Sequence, residues 1–157
     1  MLGSTYFEGR NGLPQDVDKG IKLWLRAGEL GYAMAYYNIA DSYRSGEGVE
    51  MDMKKAKHYF ALAAIGGDVS ARHNLGCDEG RAGNVDSAIK HLMMSAGAGD
   101  DKSLEAIRCH FMRGEATKDD FEKALRAHKE AKDEMKSDQR DAAAAVIAAR
   151  AAARGQN

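Results

Sequence analysis

Residues 41–56 read DSYRSGEGVEMDMKKA: two glycines one residue apart, acidic side chains around them, then paired lysines opening an apolar run. A glycine-rich loop with lysine at the start of a helix is the material of a phosphate cradle, and equally of a bend between two helices. A P-loop needs a strand ahead of it, a wider glycine spacing, and Lys-Ser/Thr directly after the second glycine. Here Glu47 and Glu50 repel an anion, and the lysines lie a turn into the helix. The segment upstream carries Tyr36, Ile39, Ala40 and Tyr43 at helical spacing, not as a strand. The stretch reads as a bend.

The bend recurs along the chain. With Asp52, Lys55 and Ala56 as the anchor, Asp16, Lys19 and Gly20 stand 36 residues earlier. Asn84, Ser87 and Ala88 stand 32 residues later, and Asp120, Lys123 and Ala124 lie 36 beyond those. Upstream, Leu2-Gly3, Ile39-Ala40 and Leu75-Gly76 align, with Ile107 in a fourth copy; Tyr6, Tyr43, Glu79 and Phe111 follow them. Gly31, Gly67 and Gly99 each come eleven residues after the small Gly20/Ala56/Ala88 position. This is a tandem array of about four copies.

Each copy predicts two helices. In the second they run over 33–45 and 53–65, the latter with Ala56, Tyr59, Phe60 and Ala63 on one face. Asp16, Asp52, Asn84 and Asp120 are expected to cap the second helices, and the recurring glycines to stop them in a left-handed conformation. Lys19, Lys55 and Lys123 fall where a capping box would carry Glu, and acidic groups of the turn are their expected partners. Such helix pairs bury their apolar faces only by stacking, so the expected fold is all-α: an α/α solenoid, a right-handed superhelix of antiparallel pairs. The copies span about 1–35, 36–71, 72–103 and 104–135. Small residues at Gly3, Ala40 and Gly76 let helices approach closely; Arg108 and Met135 break the pattern in the fourth copy and mark the end of the stack. The Ala-rich remainder, 136–157, is expected to be a helix, continuous with the one before it, whose inner turn caps the array and whose outer end frays.

The totals exclude several classes. The 23 basic and 24 acidic side chains nearly cancel, leaving no electrostatic footprint for nucleic acid. No apolar run reaches the ~20 residues of a membrane span, so membrane insertion is not expected. MLGSTYFEGR lacks the basic and apolar regions of a signal peptide, and two cysteines make no disulfide framework. A cytoplasmic or nuclear location is the expectation.

The pattern L-G-x-x-Y-x-x-G-x-G-V-x-x-D-x-x-K-A, followed by aromatics, A-A and G, resembles the Sel-1-like repeat family of tetratricopeptide-like solenoids. The second copy matches best, through Ile39, Gly46, Gly48, Val49, Asp52, Lys55, Ala56, Tyr59, Phe60, Ala63, Ala64, Gly67 and Ala71. The first follows with Leu2, Gly3, Tyr6, Gly9, Gly12, Asp16, Lys19, Trp24, Ala27, Gly31 and Ala35; the third drops the long turn. The resemblance implies a non-catalytic scaffold or adaptor that binds other proteins, in signalling or protein quality control, and that needs no cofactor. It also admits a repeat portion of a ubiquitin-ligase component. The first copy opens at Met1 on a shortened helix, which suggests a piece of a longer protein.

Periodicity selects a candidate binding face. Residues two before and two after each Leu/Ile anchor form a stripe on the first helices: Tyr37 and Asp41, His73 and Cys77, Glu105 and Cys109. Met34, Ser70 and Lys102 extend it backwards; Arg44, Arg81 and Arg113 extend it forwards. In tetratricopeptide-like solenoids this face lines the concave groove, and its mixed charge with Tyr and Met suits an extended peptide or a helix. The competing account is a solvated helix surface. His73/Cys77 and Glu105/Cys109 also have the donors of a zinc site, which keeps a metal-dependent hydrolase as a rival, though no C-x-x-C supports it. Neighbouring first helices ~8–10 Å apart are too distant for an unstrained disulfide, so both cysteines are expected as thiols.

Ser87-x-x-Lys90 lacks the partner motifs of a serine β-lactamase. His91 occupies an aromatic slot as a packing residue, and His58, His110 and His128 have no recurring partner. The charge-dense 118–141 segment reads as a solvated helix laced with i, i+4 pairs.

Overall fold

In a computed structural model the protein is described over residues 2–9 and 15–154, with side chains to 149. Gly12 of the first-copy pattern and the tail residues 155–157 lie outside them. Among the described residues there are eight helices and no strand: α1 Leu2–Glu8, α2 Val17–Glu29, α3 Ala33–Ser45, α4 Met53–Ile65, α5 Val69–Arg81, α6 Val85–Gly97, α7 Asp101–Met112 and α8 Lys118–Arg154. Contacts run between successive elements from α1 through α5, the neighbour-to-neighbour logic of a repeat solenoid. Two compact units follow one another, Met1–Ser95 and Ala96–Asn157. No described helix is long and apolar enough to cross a membrane.

The ends of the helices follow from side-chain chemistry. The Asp16 carboxylate accepts from the Lys19 amide at 2.9 Å, and that of Asp52 from the Lys54 and Lys55 amides at 3.0 Å each. Asp68 and Asp100 do the same for α5 and α7, at 2.8 and 2.7 Å. At the other ends the glycines adopt positive φ: 95° at Gly31, 92° at Gly67 and 87° at Gly99. Around Gly67 this closes a paired ending in which Gly67 donates to Ala64 O at 3.2 Å and Asp68 to Ala63 O at 2.9 Å. Gly31 and Tyr32 repeat it against Gly28 and Ala27.

One sequence expectation changes here and another is extended. Asp120 is not an N-cap: the cap of α8 stands three residues sooner, at Thr117, whose hydroxyl accepts from the Asp120 amide at 3.1 Å. The Asp120 carboxylate reaches back to the Thr117 amide (3.1 Å) and hydroxyl (2.6 Å), a reciprocal capping box. Of the recurring lysines, Lys55 and Lys123 meet acidic groups as expected, at Asp52 and Asp119, and two of the lysines also meet rings. Lys19 and Lys55 lie over the Tyr6 and Tyr43 rings, at 3.9 and 5.0 Å from the centroids, with Lys55 also 3.8 Å from Asp52.

In the first unit, Phe7, Trp24, Ala35 and Ile39 form one apolar cluster, and Ala40, Ala56, Phe60, Ala63, Ala64, Ala71 and Leu75 form the next. Close approach depends on the small positions. A Cβ on Gly3 would sit 2.4 Å from Trp24 Cδ1, and one on Gly76 2.7 Å from Leu92 Cγ. In the second unit, Ile107, Ala116 and Ala124 are buried, and the Phe111 and Phe121 rings stack at 5.2 Å. Arg108, at the small position, is exposed and turned to Glu105. With Met135 in place of a glycine, α8 runs on without a break, its outer face carrying Lys118–Glu122 and Asp119–Lys123 pairs at 3.4 and 2.6 Å.

Candidate protein-binding face

The stripe on α3 is braced against the core. Tyr37 meets the Phe60 ring edge-on at 5.5 Å, and the Arg44 guanidinium lies 5.2 Å over the same ring while pairing with Asp41. All three side chains are half-buried. They are held by packing on one side and face outward on the other.

On α5, His73 Nε2 and Cys77 Sγ come within 3.5 Å, so the i, i+4 spacing brings this pair together as expected. Arg81 turns to Asp78, one residue off the stripe, and is otherwise exposed. Both cysteines are thiols, with no disulfide between them. Among the described residues no group of three or more His, Cys, Asp or Glu is placed to hold a metal.

The remaining stripe residues belong to the second unit. Glu105 is exposed and takes both arms of Arg108, whose guanidinium holds its carboxyl below the usual range. Cys109 is half-buried. Arg113 reaches Glu115 at 3.6 Å, and Glu115 also meets His110 Nδ1 at 2.7 Å. His128 meets Asp101 at 2.8 Å, with Lys132 on the other oxygen at 3.0 Å. Lys132 and His128 together depress the Asp101 carboxyl. These two histidine–carboxylate contacts span five and 27 residues, so repeat spacing carried no signal for them.

One polar centre was not visible in the sequence. Glu79 replaces the tyrosine of the first two copies and is buried, yet Lys57 of α4 pairs with it and Asn84 donates to it at 2.7 Å. Hydrogen bonds from Lys57 and then Asn84 hold its carboxyl below the usual range. Nearby, burial and then the Arg72 charge push the His91 imidazole below the ordinary histidine range.

The Sel1 repeat family matches residues 1–32 and 33–68, the first two copies. Residues 1–68 are two Sel1 repeats. Two solved structures share the solenoid: a Sel1 repeat protein from Oxalobacter formigenes, and c5321, a protective antigen present in uropathogenic Escherichia coli strains that displays an SLR fold. The first is 25% identical with a TM-score of 0.67, covering 84% of this chain and 56% of its own. The second is 27% identical with a TM-score of 0.68, covering 85% and 29%. The chain therefore spans about half of one neighbour and under a third of the other. No curated protein matches it. Its fold is a Sel1-like repeat solenoid, an architecture whose usual role is protein interaction.

Proposed function

We propose that this chain is a non-catalytic adaptor that grips an extended peptide or a helix along the first-helix stripe. The copies at 1–35, 36–71, 72–103 and 104–135 form its array, and 136–157 its terminal cap. The observation that carries the reading is the bracing of Tyr37 and Arg44 on Phe60, with Asp41 closing the ion pair. A merely solvated helix face has no reason to hold three side chains of mixed chemistry in fixed positions. Cys77 and Cys109 as thiols suit a reducing compartment, the cytoplasm or nucleus.

The test is a pull-down with the intact chain beside one carrying Tyr37→Ala and Arg81→Ala. The proposal expects partners recovered by the first and lost by the second. Identical recovery would remove the stripe as the binding face.

A further inference from the structure

On α5, Cys77 Sγ and His73 Nε2 stand 3.5 Å apart, one turn from each other on the same face. Both side chains are half-buried, so neither residue is sealed from solvent. The charged side chains next along the helix are engaged elsewhere: Asp78 with Arg81, and Glu79 with Lys57 of α4 and with Asn84. The chain holds its own comparison. Cys109 stands at the same repeat position on α7, two residues after the Ile107 anchor, and is half-buried too. Four residues before it comes Glu105, a carboxylate in place of the imidazole, and Arg108 takes both of its oxygens. An imidazole within reach of a thiol accepts its proton and stabilises the thiolate, which is the nucleophilic form. Two donors are too few for a zinc site, so the pair has thiolate chemistry and not metal chemistry to offer.

We propose that Cys77 is a reactive thiol, activated by His73, that forms a mixed disulfide with low-molecular-weight disulfides. His73 Nε2 takes the thiol proton, and Cys77 Sγ attacks one sulfur of the incoming disulfide. The new S–S bond forms as the old one breaks, and the departing thiolate recovers the proton from the imidazolium. Cys77 is oxidised and the departing half is reduced, so the exchange needs no further oxidant. A reducing compartment keeps Cys77 as a thiol, and a rise in the oxidised low-molecular-weight pool loads it. Cys77 lies on the first-helix stripe, so the adduct stands on the face proposed above for a partner. The exchange chemistry itself does not depend on that reading.

The experiment treats the intact chain with oxidised glutathione at neutral and at high pH, and reads the adduct by mass on tryptic peptides 73–81 and 109–113. An imidazole that lowers a thiol pKa by one unit raises the thiolate fraction at pH 7 about eightfold. The intrinsic nucleophilicity lost with it leaves a net gain of about threefold. At about pH 9.5 both thiols are ionised and only that loss remains. Cys77 should therefore load about threefold faster in the parent than in His73→Asn at pH 7, and more slowly than in the variant at the high pH. The Cys109 rate in the same samples should not differ between the two chains, which shows that the fold is kept. Where His73→Asn does not fold, Glu105→His on α7 carries the test: it should give Cys109 the same gain at pH 7 and the same reversal. Equal Cys77 rates with and without His73 at both pH values would overturn the proposal. So would a change of one sign at both, which means altered access and not activation.

Discussion

Lys55 Nζ stands 5.0 Å from the centre of the Tyr43 ring, and in the preceding copy Lys19 Nζ stands 3.9 Å from that of Tyr6. Beneath each couple the cap residue donates its amide to the tyrosine carbonyl, Asp16 to Tyr6 at 2.8 Å and Asp52 to Tyr43 at 2.9 Å. The third copy keeps that backbone bond, Asn84 to Glu79 at 2.9 Å, although its turn is shorter. Its side chains change together: tyrosine becomes Glu79, the lysine becomes Ser87, and the cation arrives from Lys57 instead. A cation against an electron-rich group at the joint is thus the constant, reached by two chemistries.

The Tyr43 slot therefore tolerates loss of charge better than loss of bulk. Lys55→Met should lower stability by no more than ~1 kcal/mol, the exposed cation–π range. Tyr43→Ala also removes the stack on Tyr59, at 6.0 Å, and should cost ~2 kcal/mol or more. Urea unfolding midpoints measure both, and equal costs would refute the ordering.

For Glu79 the folded carboxyl is depressed, so its stabilising contribution is fully present above the unfolded value of about 4.3. It is lost as pH falls through the lower folded value. Glu79→Gln should be less stable than the parent at pH 7, and the gap should close as the pH approaches 3. Denaturant midpoints across that range give the difference directly. A gap that stays constant would mean that the carboxylate charge contributes nothing.

His91 acts in a different window. Burial, with Arg72 and Lys57 nearby, lowers its folded pKa against the opposing pull of Glu79. Its neutral form is favoured, so stability is full above about 6.5 and falls as the unfolded chain gains its proton first. Nδ1 is buried without a partner, which makes an apolar replacement tolerable. His91→Phe should hold its melting temperature between pH 7 and pH 5 where the parent loses some. Parallel curves would overturn the assignment.

How much of this could be read from the sequence depends on what the repeat period encodes. Both helices of the second copy run where the spacing placed them, because Gly46, Asp52 and Gly67 act on local backbone. The period failed at Asp120, where Thr117 supplied an earlier cap that no other copy contains. The α3 stripe was legible as spacing, but its bracing was not, since Phe60 comes from the following helix.

The Thr117–Asp120 box gives a separate test on the second unit. Thr117→Ala removes the hydroxyl that caps α8 and should cost ~1 kcal/mol, within the usual range for an N-cap. The Asp120 carboxyl, held low by the Thr117 hydroxyl and amide, should titrate closer to its ordinary value in that variant. Carboxyl chemical shifts followed against pH would show the rise. An unmoved Asp120 would mean that the box does not form.

Two glycine-to-alanine changes should destabilise for opposite reasons. At Gly67 nothing lies within 4 Å of a new Cβ, but φ is 92°, so the cost is backbone strain of ~1 kcal/mol. At Gly76 the backbone is helical, and alanine gains ~0.5–1 kcal/mol of propensity there. The new Cβ would nevertheless stand 2.7 Å from Leu92 Cγ and 3.2 Å from the Ala88 carbonyl, an overpacking cost of ~1–3 kcal/mol. Shortening Leu92 separates the cases. In a double-mutant cycle Leu92→Ala should recover part of the loss from Gly76→Ala and none of that from Gly67→Ala. Rescue of Gly67→Ala by the same change would show that its penalty is packing and not conformation.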